Sequence, residues 1–219
     1  MTTTQEVQCW RCAHQHQARL FCPICKAIQF LPPQIDYFSV FDLPKHPCID
    51  ESLLTQRYYE LSRKLHPDLY QTGTSQEQEA SLKNTATLNH AYRTLRDAIQ
   101  RGQYWLELHG EQLGKDNNRV PPKLAALVFD VQEKLSEVRD ARTNGNDAEG
   151  QAELQQIRVE LDQYLTRLQG ELDANFARWG GDSVPSDLLS TLKRLLSDIA
   201  YLRTLLRDVE KESLSSWNA

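Results

Sequence analysis

Three stretches in the C-terminal half each carry one apolar stripe, and this pattern restricts the fold more than any other feature. The first stripe reads Leu124, Leu127, Val128, Val131, Leu135 and Val138; the second Leu154, Ile157, Leu161, Leu165, Leu168, Leu172 and Phe176. The third reads Leu188, Leu192, Leu195, Ile199, Leu202, Leu206 and Val209. Spacings of three and four put each set on one face of an α-helix, and that face must be covered. The spacing predicts helices over about Pro121–Arg142, Ala148–Trp179 and Pro185–Lys211, broken at TNGND and GGD. Short connections between single-striped helices imply an antiparallel three-helix bundle over 120–212.

A second helical region lies upstream. Asp50 is placed to cap a helix, Glu51 suits its first turn, and Leu54, Tyr58, Leu61 and Leu65 recur at helical spacing. The chain then reads His66-Pro67-Asp68. The residue before proline is pushed out of the α region, so the helix ends near Leu65 and His66 turns outward. After QTGTSQEQ, Thr74-x-x-Glu77 forms a capping box for another helix, with apolar positions Leu82, Ala86, Leu88, Tyr92 and Leu95. The tripeptide reads as a stiff polar tip offered to another protein; a helix stop of chance composition is the bland alternative. A catalytic His-Asp pair is disfavoured, because no nucleophile or glycine-rich turn accompanies it and a short exposed loop does not exclude water.

Cys9, Cys12, Cys22 and Cys25 give C-x2-C-x9-C-x2-C near the start of the chain. Two close pairs around a short loop can wrap four thiolates around one ion, and Zn²⁺ is the usual occupant. Residues 1–30 are therefore expected to form a zinc-ribbon-like module. A closed four-thiolate site leaves no position for substrate, so its role is structural. His14 and His16 lie in the loop but are surplus to four sulfurs, and Cys48 reads as an ordinary small apolar residue. FLPPQ, residues 30–34, is read as a stiff linker.

The net charge of −5 over 219 residues argues against non-specific nucleic-acid binding. The longest apolar run, Leu124 to Phe129, is too short to span a membrane. MTTTQEVQ has neither the apolar core of a secretory signal nor the arginines of a transit peptide. A cytoplasmic, bacterial setting is expected, with a processed mitochondrial matrix form as the alternative.

Basic residues Arg57, Arg63 and Lys64, the His66-Pro67-Asp68 turn and a following helix together resemble a J domain. DYFSVFDLP, YYELSRKLHPD, ATLNHAYRTLRD and the Tyr104–Gly110 segment YWLELHG are similar to the HscB family of iron–sulfur cluster co-chaperones, some of which carry a four-cysteine module. The resemblance covers nearly the whole chain. It implies an all-α fold: a zinc module, a J-domain helical hairpin over 36–110, and a C-terminal client-binding three-helix bundle. It implies a co-chaperone without catalytic residues, acting on an HscA/DnaK-type chaperone through His66, Pro67 and Asp68. Arg57, Arg63 and Lys64 would steer docking onto an acidic surface. It further implies delivery of an IscU-type scaffold held by Ala125, Ala126, Phe129, Asp130, Glu133 and Tyr201. By helical phase, Ala126, Phe129 and Glu133 fall opposite the first stripe, Ala125 and Asp130 flank it, and Tyr201 lies off the third. Leu69 stands where many J domains have lysine, and Glu60 thins the basic surface further. A general J protein for unfolded clients, or a zinc-ribbon nucleic-acid binder, would be the alternative roles.

Overall fold

The computed structural model describes residues 6–113, 120–143, 147–180 and 185–215. Most of the TNGND break, two residues of GGD, the centre of the polar stretch EQLGKDNNRVPPK and the first five residues lie outside this part. Two short strands, β1 (Glu6–Gln8) and β2 (Gln15–Gln17), precede seven helices among the described residues. These are α1 (Tyr37–Val40), α2 (Glu51–Leu65), α3 (Ser75–Arg96), α4 (Ala98–Leu108), α5 (Ala125–Thr143), α6 (Asp147–Ala177) and α7 (Ser186–Ser215). None of the described helices is long and apolar enough to cross a membrane.

Contacts divide the chain into two compact units at Arg101/Gly102, inside α4. In the first, β1 pairs antiparallel with β2, Val7 opposite His16, and a bridge joins Phe21 to Ile28. Asp50 caps α2 through the amides of Ser52 and Leu53, and Thr74 and Glu77 form the capping box of α3. Helices α2 and α3 run antiparallel: the rings of Tyr58 and Tyr92 stack at 4.0 Å near one end, while Ser81 reaches Leu65 at the other. Phe38, Phe41, Leu54, Leu65, Leu88 and Leu95 are fully buried.

Leu88, Tyr92 and Leu95 are buried as their spacing suggested, but the first half of the inner face of α3 differs. Leu82 is 61% exposed and Ala86 is exposed, whereas Ala80, Ser81 and Asn84 are buried. Ser81 and Asn84 both find hydrogen-bond partners there, so polar side chains occupy positions a hydrophobic count would skip. Cys48 also departs from expectation. It is exposed, with its amide donating to His46 Nδ1 at 3.0 Å. The FLPPQ linker is held at its start: the Leu31 amide donates to Asn84 Oδ1, and Asn84 Nδ2 donates to the Gln29 carbonyl at 2.7 Å.

In the second unit, stripe residues of α5, α6 and α7 form the core; Leu127, Val128, Leu165 and Leu206 are only half-buried. Ion pairs bridge the helices at their surface. Lys134 meets Glu160 between α5 and α6, Arg158 meets Glu210 between α6 and α7, and Arg139 meets Glu212 between α5 and α7. The later part of α4 belongs here. A Cβ on Gly102 would lie 3.1 Å from Leu196 and 3.3 Å from Phe176, so glycine permits the close approach. Trp105 packs edge-on against Trp179 at 5.4 Å, and Lys193 pairs with Glu111 at 3.0 Å. The polar stretch after residue 110 is therefore not where the contacts divide.

Candidate functional site

The four cysteines lie in two turns of matching build. Cys9 N–H donates to the His14 carbonyl and Ala13 N–H to that of Cys9; Cys22 N–H donates to the Ala27 carbonyl and Lys26 N–H to that of Cys22. Ala13 and Lys26 both adopt left-handed backbone, at φ 59° and 60°. Each thus closes a Cys-x-x-Cys knuckle with a strained residue, a cost of roughly 1–3 kcal/mol that the surrounding turn must offset.

All four sulfurs fall within 4.8 Å of one another, with Cys9–Cys25 at 3.6 Å and Cys12–Cys22 at 3.7 Å. A tetrahedral ion with sulfur ligands at about 2.3 Å needs sulfur–sulfur edges of about 3.8 Å. The cluster fits one metal ion, and neither His14 nor His16 contributes a donor to it. His16 is buried, with Nδ1 2.7 Å from the Gln17 carbonyl.

Electrostatics prepare the sulfurs for a cation. Burial disfavours the Cys9 thiolate, but the amides of Cys12 and Arg11, both 3.4 Å from its sulfur, and the neighbouring thiols outweigh burial and lower its pKa to about 6. At Cys12 a hydrogen bond from His14 favours the thiolate, yet desolvation and the three neighbouring sulfurs push its pKa up to about 12. Cys22 is buried, which opposes ionisation, but hydrogen bonds from Cys25 and Ile24 lower its pKa. Four crowded sulfurs share fewer than four negative charges until a cation joins them.

The second site is the end of α2. Helix α2 stops at Leu65, and His66 adopts φ −54°, ψ 127°, the extended geometry forced on a residue before proline. The expected loop after it is instead a 3-10 turn, Pro67–Tyr70. His66 and Asp68 are exposed and face each other, with His66 Nδ1 accepting from the Asp68 amide at 3.3 Å and lying 3.4 Å from its carboxylate. Arg63 and Lys64 are exposed in the last turn, where their charges suit the helix dipole. Arg57 and Lys64, seven residues apart, share a face, while Arg63 points a third of a turn away. Arg57 lies 3.5 Å from Asp42, so its charge is partly engaged. Leu69 is 64% exposed beside the tripeptide.

Three residues that linear pattern did not single out hold this turn. Ser81 Oγ donates to the Leu65 carbonyl at 2.6 Å, and Thr85 Oγ1 to the same oxygen at 3.2 Å. Tyr70 donates its hydroxyl to the Lys64 carbonyl at 3.0 Å. They satisfy the last carbonyls of α2, which have no partner within the helix. The only signal in the sequence is small polar residues on the inner side of α3, which is no signal until the phase of that helix is known.

A third surface lies on the second unit. Ala125, Ala126, Phe129, Asp130 and Glu133 are all exposed, and Phe129 is 68% exposed beside two carboxylates. Arg139 on α5 donates to Glu212 on α7 at 2.9 Å, joining the two helices beyond this face. Tyr201 on α7 is half-buried. Just beneath is Asp198, buried and 3.0 Å from Arg194; burial raises its pKa, against the opposing pull of Arg194 and Lys123.

Residues 36–104 match the DnaJ domain family. The chain is 33% identical over 135 residues to the human iron-sulfur cluster co-chaperone protein HscB, covering 59% of this chain and 57% of that one. It is 32% identical to the HscB homolog of Arabidopsis thaliana, covering 61% and 52%, and so spans little more than half the length of these two relatives. With mouse HscB the identity is 27%, covering 88% of this chain and 79% of the other. The crystal structure of human HscB superposes with a TM-score of 0.76 at 25% identity, covering 95% of this chain and all of that one. The HscB chaperone of Vibrio cholerae gives a TM-score of 0.61 at 23% identity, covering 81% and 96%, and attests to the fold.

Proposed function

From the DnaJ-family match over residues 36–104, the similarity to human and Arabidopsis HscB and the fold shared with human HscB, we propose that the chain is an HscB-type J-domain co-chaperone of iron–sulfur cluster assembly. In this reading the His66-Pro67-Asp68 turn stimulates the ATPase of an HscA/DnaK-type chaperone. The exposed turn pinned by Ser81, Thr85 and Tyr70 carries the proposal: its polar groups are preorganised, and the energy of holding them is spent in folding rather than in docking. Arg63, Lys64 and the partly engaged Arg57 supply positive charge that speeds encounter with an acidic partner. The face around Phe129 and Tyr201 holds an IscU-type scaffold, and the four sulfurs hold structural Zn²⁺.

The test is His66→Gln in the full-length chain. The side chain is exposed, so melting should stay within a few degrees while stimulation of the chaperone ATPase falls to background. Full stimulation by the folded variant would overturn the assignment. Binding to extended apolar peptides in place of a folded scaffold would favour a general J protein instead.

A further inference from the structure

Arg11 sits inside the first knuckle, between Cys9 and Cys12, and its guanidinium reaches Glu77 at 3.9 Å. Glu77 is no ordinary surface carboxylate. Its Oε2 accepts from the Thr74 amide at 3.0 Å and hydroxyl at 3.1 Å, closing the capping box at the start of α3. The same carboxylate packs under the segment between the His-Pro-Asp turn and α3. A Cβ on Gly73 would lie 3.0 Å from Glu77 Oε2, and the neighbouring Gln78 donates to the carbonyls of Gln71 at 3.0 Å and Gly73 at 3.2 Å. Tyr70, whose pKa is raised first by burial and then by the Glu77 charge, donates its hydroxyl to the Lys64 carbonyl at 3.0 Å, at the last turn of α2.

An unbroken series therefore runs from the metal-ligand knuckle through Arg11 and Glu77 to the loop that presents His66, Pro67 and Asp68. Independent contacts hold the module in place: Asn84, 1% exposed, bonds both Gln29 and Leu31, and Lys83 lies over the Phe30 ring at 5.7 Å. We propose that Arg11 and Glu77 are positioning residues through which metal in the four-sulfur site steadies the loop over residues 66–74. Without a metal, no ion ties the two Cys-x-x-Cys turns together, the knuckle that carries Arg11 loosens, and the capping carboxylate loses a charge partner held at 3.9 Å. The module then does more than fold itself: its occupancy sets how well the loop is held. The consequence for ATPase stimulation rests on the co-chaperone reading; the effect on the loop does not.

Amide hydrogen exchange in the full-length protein tests this, comparing the Zn²⁺-loaded form, the chelator-stripped form, and Zn²⁺-loaded Arg11→Ala and Arg11→Lys. Arg11→Ala retains all four sulfurs, so it separates loosening of the loop from loss of the module. Amides of residues 68–74 should exchange several-fold faster in the stripped form and in Arg11→Ala, with the interiors of α2 and α3 unchanged, and Arg11→Lys should restore most of the protection. In a Glu77→Gln background, which keeps the cap but not the charge, Arg11→Ala should add nothing. Unchanged exchange over 68–74 in loaded Arg11→Ala would overturn the coupling, as would an equal effect of Arg11→Ala with and without the Glu77 charge. If the loop responds as expected but no form stimulates a chaperone, the co-chaperone reading fails and the coupling stands.

Discussion

At the scale of single residues, exposure separates those that hold the fold from those free to meet a partner. Phe129 is 68% exposed at the centre of a face made of Ala125, Ala126, Asp130 and Glu133, and no packing in the bundle accounts for an aromatic ring there. Changing Phe129 and Tyr201 together to alanine should weaken binding of an IscU-type scaffold by about 1–2 kcal/mol or more, as anchor aromatics do. The melting temperature should change little. Calorimetry with the scaffold, with thermal melts as control, decides it. Unchanged affinity would place the client site elsewhere, and a large drop in melting temperature would mean that Tyr201, half-buried, serves the core.

At the scale of elements, helix ends carry as much of the design as helix faces. Asp50 and the Thr74–Glu77 box start α2 and α3, and the proline of the tripeptide stops α2. Along α7 the unusual member is Asp198, buried with Arg194 as partner. Its pKa is raised by burial, so the folded state binds a proton there more tightly than the unfolded chain does. The associated stability is present at acid pH and is lost as pH rises through the raised value. Asp198→Asn abolishes this titration. Its stability relative to the parent should therefore improve as pH rises from about 4 toward neutrality, where the parent carries a buried charge. Denaturant melts across that range would show it; a relative stability independent of pH would mean that Arg194 fully offsets the burial of Asp198.

At the scale of the whole molecule, the metal module joins the first compact unit rather than standing apart, since residues 29–31 are pinned to α3 by Asn84. Metal binding should report the charge state of its sulfurs. With Cys9 lowered to about 6 and Cys12 raised to about 12, the metal-free cluster near neutral pH should share some thiolate charge without being fully ionised. Adding Zn²⁺ at about pH 7 should release fewer than four protons per ion, and affinity should fall as pH drops through neutrality, most steeply below about 6, where Cys9 too takes up a proton. Calorimetry in buffers of different ionisation enthalpy counts the protons. Release of all four would mean that no thiolate exists before the ion arrives. Serine at both Cys9 and Cys12 should abolish tight binding, read by elemental analysis.

Much of this architecture is legible in the sequence because it rests on local rules. Helical stripes, caps, the break at proline and the pairing of two Cys-x-x-Cys segments depend on residues a few positions apart, and each appears in the structure near where the spacing puts it. On α3 the buried Leu88, Tyr92 and Leu95 are legible, but the first half of the inner face is not. Leu82 and Ala86 look like core and are exposed, because Ser81 and Asn84 take the inner positions to satisfy carbonyls of Leu65 and Gln29 from distant parts of the chain. Nor does the sequence show that the contacts divide within α4, where Gly102 allows α4 to pack closely on Phe176 and Leu196. Periodicity records what one helix must bury; which partner it buries against, and which polar groups must be paired there, exists only once the helices have met.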